Sequence, residues 1–262
     1  MSTPELRLER AGPLARLVID NPSRRNAVSV AMWRSILDHC QTVEADGNLL
    51  AVVLTGAGEH FCSGADIGEL AEAFATVETT RQYNGLIQQA LTALAMLDRP
   101  VIAGIEGACF GGGVSLALQC DRIIAAQNAR LAITPAKIGL VYGQADTARL
   151  VQRIGVAAAK DLLFTGRTLD ARAAKDLGLI DDVVGPGEAA RAAERYAGSL
   201  RAQSQFSIRA SKRLINGLAA GTATPGQFAA EAESVAAGPD FTEGRRAFLA
   251  RETPKFPSPD PD

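Results

Sequence analysis

The sequence predicts an α/β core followed by a helical C-terminal region, and three observations carry that prediction. Strand-like runs rich in β-branched residues fill the first half of the chain. The last quarter has none; after Glu188 it is alanine-rich with helical spacing to about Arg251. Between them, the apolar run Val101 to Ile105 leads into Gly111-Gly112-Gly113 and then Val114, Leu116, Ala117 and Leu118. That order reads as a buried strand, a tight glycine turn and a helix start. A change of texture at Gly185-Pro186-Gly187 divides the chain into a core, residues 1–187, and a helical region with an extended tail, residues 188–262.

Taken in order, Leu6 and Leu8 alternate with charges, as in an edge strand. Gly12-Pro13 turns the chain into a second strand, Leu14 to Asp20. Asn21 to Asn26 is a loop whose two arginines suit either a phosphate or solvent. Ser29 is placed to cap a helix to Val43, with Met32, Ile36, Leu37, Cys40 and Val43 on its buried face. Leu49 to Leu54 is a buried strand, and Thr55 to Asp66 is a long loop punctuated by glycines. Ile67 to Leu97 is expected to be helical, loosening near Thr76 to Thr80, and Arg99-Pro100 stops it. Asp121 to Ala126 and Arg130 to Ile133 are strands, and Ala136 to Gln144 is a loop. Helices are expected over Thr147 to Ile154, over Ala157 to Phe164, and from Thr168 to a stop at Gly178.

Composition excludes several functions. With 262 residues, 47% hydrophobic and 21% charged, the chain is an ordinary globule. A net charge of −2 gives no reason to expect nucleic acid or an anionic membrane as partner. No apolar run approaches the roughly 20 residues that span a bilayer. The N-terminus lacks the apolar core of a signal peptide, so a cytoplasmic location is expected. Cys40, Cys62, Cys109 and Cys120 match no zinc or redox spacing and read as reduced thiols. With only His39 and His60, no metal site is expected.

The glycine turn is the candidate site. Glycines let a ligand approach bare backbone, and the first N–H groups of a helix lack partners inside it. Such a turn suits an anionic oxygen, or merely lets a strand and a helix pack closely.

In their shared order, the loops resemble the crotonase superfamily of enoyl-CoA hydratases, isomerases, decarboxylases and dehalogenases. The resemblance runs from about Leu14 to Phe256 and rests on several motifs. These are Asn21-Pro22 with Asn26-Ala27, Gly56-Ala57-Gly58 with Phe61 to Ile67, and Arg99 to Ala103 with the three glycines. Cys120-Asp121, Arg149-Leu150, Leu163 to Gly166, Gly178 to Ile180 and Glu243-Gly244 follow. The resemblance implies a spiral of ββα units and a C-terminal helical region that assembles homotrimers or hexamers. It also implies a coenzyme A thioester substrate and no separate cofactor. Two backbone N–H groups would hold the thioester oxygen as it gains charge. The matching positions are taken as Ser63 and Gly112. Arg24, Ala27, Ala65, Asp66, Ile67, Phe110 and Pro135 are expected along the substrate channel.

The chain departs from the pattern where hydratases carry two catalytic glutamates: those positions hold Ser115 and Ala136. Neither supplies a hydratase's acid–base pair. Tyr142 stands eight residues after Thr134, an arrangement resembling methylmalonyl-CoA decarboxylase, although that relative has a histidine at the place of Ala65. Tyr142 is therefore either a proton donor or a pocket wall. Asp146 is expected to cap the helix after it, with an acid–base role as the alternative, and Glu69 and Glu72 to lie on solvated helix faces. Gly113 to Ala117 resembles a hydrolase nucleophile elbow, but both histidines precede Ser115, against the order that fold requires. The glycines also lack a dinucleotide-binding spacing. A non-catalytic acyl-CoA-binding homologue remains as the non-enzymatic alternative.

Overall fold

The computed structural model describes residues 4–257. A six-stranded sheet has the order β1 (Glu5–Ala11), β2 (Leu14–Asp20), β3 (Ala51–Gly56), β4 (Val101–Ile105), β6 (Arg122–Ala126) and β9 (Asp182–Val184). Only β1 pairs antiparallel, and it is the edge strand its alternating sequence predicts. A smaller sheet holds β5 (Ala108–Phe110), β7 (Arg130–Ala132) and β8 (Leu169–Asp170). From β4 onward the chain passes back and forth between the two sheets, with β7 and β8 both in the smaller one, which produces the expected spiral.

Helix α1 (Val30–Ala45) starts where Ser29 accepts a hydrogen bond from Met32 N. Trp33 joins Met32, Ile36, Cys40 and Val43 on its buried face, while Leu37 is half-buried. The expected long helix is two: α2 (Ile67–Ala73) and α3 (Val77–Met96). The break falls at Phe74–Thr76, ahead of the stretch expected to loosen. Thr76 and Thr79 cap α3 reciprocally, so threonines that lower helix propensity here start a helix. Helix α4 (Gly112–Leu118) follows the glycine turn, and α5 (Gln144–Thr165) is bent at Gly155. Next come α6 (Ala171–Asp176), α7 (Ala189–Ser199), α8 (Gln205–Ala219), α9 (Pro225–Ser234) and α10 (Pro239–Ala250). Three strands were not expected: β5, β8 and β9 are two or three residues long and give periodicity nothing to act on. Residues 258–262 of the expected extended tail lie outside the described residues.

The large sheet is buried on both faces, and each strand divides its side chains by parity. Val52, Leu54, Val101, Ala103, Ile105, Ile123 and Ala125 face the main core with α1, α3 and α4. Ala51, Val53, Ile102 and Ile124 face α7, which offers Ala192, Ala193 and Ala197. The approach is close: a Cβ on Gly104 would sit 2.9 Å from Ala190 Cα. The first helix after Glu188 thus completes the core. Beyond it, Lys212 of α8 reaches back, donating to Arg99 O at 2.8 Å and pairing with Asp121 at 2.7 Å. Among the described residues no helix is long and apolar enough to cross a membrane.

At the start of α4, Gly113 leaves no room for a side chain. A Cβ on Gly113 would stand 2.5 Å from Cys62 O, inside the core. Gly113→Ala should therefore lower stability by about 3 kcal/mol or more, read from the urea midpoint.

Candidate active site

The loop before α2 lies between two backbones. Cys62 pairs with Cys109 of β5: Cys62 N donates to Ala108 O at 2.9 Å, and Phe110 N donates to Cys62 O at 2.9 Å. On the other side, Ser63 N donates to Arg25 O at 2.9 Å, and Asp66 N to Val28 O at 3.0 Å. In an unbroken strand Ala65 would turn its N–H the same way as Ser63. Gly64, at φ 114°, breaks that alternation. Among the described residues, Ala65 N and Gly112 N have no acceptor in the protein. They also face each other: a Cβ on Gly112 would lie 3.4 Å from Ala65 N, and one on Gly64 would lie 3.7 Å from Gly112 N.

This corrects the reading of Ser63 as a donor. Its N–H is spent on Arg25, and its hydroxyl donates to Arg24 O at 2.8 Å. Ala65, expected only to line the channel, holds the free N–H opposite Gly112.

The Ala65–Gly112 pair opens into a cavity of about 420 Å³. Trp33, Ile87, Leu91 and Tyr83 form one wall, and Pro135, Ile138 and Leu140 to Tyr142 the other. Of the expected site residues, Ser63, Ala65, Ile67, Gly112, Pro135 and Tyr142 line it. Arg24 and Asp66 pair with each other beside Ile67, and Asp66 also caps α2 through Gly68 N. Ala27 is buried and holds the loop, its carbonyl accepting from Asn21 Nδ2. Phe110 is off the cavity, and its contribution is backbone pairing with Cys62. Ala136, at the second glutamate position, is exposed on the short 3-10 turn Pro135–Ile138.

At the far end the ionisable groups gather. The Ser115 hydroxyl donates to Tyr142 Oη at 2.9 Å. Asp146 is buried beside it and accepts from Gln119 Nε2 at 3.4 Å. Asp146 is not the cap it was expected to be, because α5 begins at Gln144 and places it inside the first turn. Gly143 makes room for its carboxylate, since a Cβ there would sit 2.8 Å from Asp146 Oδ2. Burial pushes the Asp146 carboxyl up to about 6; the Ser115 hydroxyl and Arg149 oppose the shift. Burial, and then the Asp146 charge, push the Tyr142 phenol well above its ordinary value, so it keeps its proton. Glu69 is also not merely solvated: it accepts from Val30 N at 2.6 Å and caps α1. Glu72 is exposed, as expected.

This pair of free N–H groups, lodged between a Gly-Ala-Asp loop and a glycine turn, can be set beside known proteins. The profile of the enoyl-CoA hydratase/isomerase family matches residues 9–259. The chain belongs to that family. The short-chain-enoyl-CoA hydratase of Clostridium acetobutylicum is 35% identical over 210 residues, covering 80% of each chain. A solved structure of an enoyl-CoA hydratase/isomerase family protein from Hyphomonas neptunium superposes with a TM-score of 0.93 at 43% identity, covering 97% of both chains. An enoyl-CoA hydratase/carnithine racemase from Magnetospirillum magneticum gives 0.92 at 30% identity, covering 98% of this chain and 97% of that one. The crotonase-like fold expected from the loops is therefore the fold of this family. Trp33 and Tyr83 are cavity residues that the sequence reading did not name, whereas Asp146, read as a cap or an acid–base group, lines the cavity. Trp33 was legible, because it shares the helical face of Met32 and Ile36.

The raised Asp146 carboxyl fixes a pH dependence of stability. Its ordinary value, 3.8, lies below its folded one. The ionised form is therefore the costly one when folded, and the cost appears as pH rises from about 4 through 6. Asp146→Asn should gain stability relative to the native protein across that range, by up to about 3 kcal/mol at neutral pH and little at pH 4. Urea titrations at several pH values read the difference.

Proposed function

We propose that this protein is an acyl-CoA enzyme that shifts a proton along the carbon chain beside a thioester, as an enoyl-CoA isomerase does. One observation carries the proposal. Among the described residues one carboxylate, Asp146, lines the cavity with Ser115 and Tyr142, and the free Ala65 and Gly112 N–H groups open into the same cavity. The thioester carbonyl oxygen would accept from those two N–H groups. As a carbon conjugated to it loses a proton, charge moves onto that oxygen. Each donor typically contributes about 3 kcal/mol to that transition state.

Asp146, with its carboxyl near 6, is ionised at neutral pH and basic enough to take the proton. Returning the same proton to another carbon of the allylic system completes the shift, and the carboxylate is restored. Hydration asks for more, because water must lose one proton while the chain gains another. The family's two glutamates do that work, and Ser115 and Ala136 stand in their places. Coenzyme A enters as part of the substrate, and no step calls for another cofactor. Arg24 and Ile67, beside the cavity mouth, would meet the nucleotide end. The exposed apolar side chains of Phe164, Phe241, Phe248 and Leu249 support a trimeric or hexameric assembly.

Decarboxylation is the second reading. Tyr142, held by Ser115 and keeping its proton, would protonate the enolate left when carbon dioxide departs.

Incubation with enoyl-, malonyl-type and branched acyl-CoA esters, followed by mass spectrometry, separates these outcomes. Unchanged mass with an altered absorption spectrum supports the proton shift. Loss of carbon dioxide supports the second reading, and rapid gain of water overturns the first. Asp146→Asn should lower kcat by about 10²–10⁴-fold with little change in thioester affinity. In the native protein, kcat/KM should fall as pH drops below about 6. Gly112→Ala puts its methyl at 3.4 Å from Ala65 N, an ordinary contact, so the fold should survive while kcat/KM drops by about 10²-fold or more. A monomer by light scattering at micromolar concentration would count against the assembly.

A further inference from the structure

Gln119 is 2% exposed, among the buried Leu116, Ala117, Leu118 and Cys120 at the end of α4. A buried primary amide is costly unless its hydrogens find acceptors. Here both acceptors belong to the far end of the cavity. Nε2 donates to Ser115 O at 3.0 Å and to Asp146 Oδ1 at 3.4 Å. The Ser115 carbonyl can only accept, so the amide must turn its nitrogen, not its oxygen, to this side.

Helical spacing sets the placement. Gln119 stands four residues after Ser115, on the same face of α4. Ser115 therefore reaches both reacting groups: its hydroxyl donates to Tyr142, and its carbonyl anchors the amide that donates to Asp146. The Ser115 hydroxyl also favours the ionised carboxyl, but its hydrogen is directed to Tyr142 Oη at 2.9 Å. Among the described residues, Gln119 gives the carboxylate its one hydrogen bond within range. Gln119 lies behind the cavity wall rather than in it.

We infer that Gln119 is a positioning residue for Asp146: it holds Oδ1 from behind and favours the ionised carboxylate that takes the substrate proton. The role rests on the proton-shift reading above. A buried carboxylate is stabilised by each donor aimed at it, so removing the amide raises the pH at which the group ionises. The titratable and charged groups that face the carboxyl among the described residues are Tyr142, from the preceding loop, and Arg149, from its own helix. Arg149 favours the ionised form through its charge and makes no hydrogen bond to it, and Tyr142 keeps its proton. Neither replaces the lost donor.

The test reads the Asp146 carboxyl without using turnover. The stability difference between a protein and its Asp146→Asn variant grows as pH rises, and it levels off once the folded carboxyl is ionised, near pH 6 in the native protein. In a Gln119→Met background it should level off about one pH unit higher, because a hydrogen bond to a charged group is worth about tenfold in that equilibrium. The acid limb of kcat/KM should move up by the same amount, with KM little changed, since Gln119 touches no substrate. Gln119→Leu repeats the measurement if the methionine variant folds poorly, as both side chains suit a buried position. A merely structural glutamine would lower stability equally at every pH. A levelling point that does not move in the folded variant overturns the role. A levelling point that moves while the kinetic limb stays put overturns the proton-shift reading and leaves the hold of Gln119 on Asp146 standing.

Discussion

The site depends on the close approach of two backbones, Cys62 to Ala65 against Ala108 to Gly113. The chains are hydrogen-bonded through Cys62, Ala108 and Phe110, so their separation is fixed by a ladder rather than by side chains. Gly113 has no space for a Cβ beside Cys62 O, and Gly111 takes φ 47° to turn β5 into α4. The result is a pair of N–H groups that secondary structure does not consume. Unpaired backbone donors are expensive when buried, and here they border a cavity, where a ligand oxygen can accept.

That frame is supported by elements with no chemistry of their own. Asn26, wholly buried, ties its loop down by donating to Ala57 O at 2.9 Å and His60 O at 2.6 Å. Arg25 and Val28 take up Ser63 N and Asp66 N, which forces the odd N–H of Ala65 inward. Glu69 caps α1 and so brings α1 against the start of α2. Small residues on α7 let the sheet be covered closely on its second face, so the strands that carry these loops are rigid.

The other end of the cavity works by electrostatics. Its walls are mostly apolar, and Asp146 is buried among them with few donors, which raises its carboxyl to the range where it can take and return a proton near neutrality. Burial, and after it the same charge, keeps Tyr142 protonated. Serine at position 115, where a longer acid would fill the space, donates its hydroxyl to Tyr142 beside Asp146. Where the family carries two glutamates this chain has Ser115 and Ala136, and the ionisable groups that line the cavity at this end are Asp146 and Tyr142.

Much of the fold was legible because its signals are local. The parity of Leu14 to Asp20, the Ser29 cap, the strand–glycine–helix order and the ordered loop motifs depend on residues near one another in the chain. The family followed from them, as did Gly112 in the turn. What the sequence could not decide was which N–H a loop spends. Ser63 and Ala65 differ by two positions, and only the pairing of Ser63 with Arg25, thirty-eight residues away, leaves Ala65 free. Asp146 looked like a helix cap because its local setting suits one; its role depends on Ser115, Gln119 and Tyr142, which tertiary packing brings to it. Trp33 and Tyr83 come from separate helices and line one cavity only once α1 and α3 pack together. Periodicity and motif determine where each backbone element runs. Hydrogen-bond pairing and desolvation, which are sums over neighbours distant in sequence, are decided only by the folded structure.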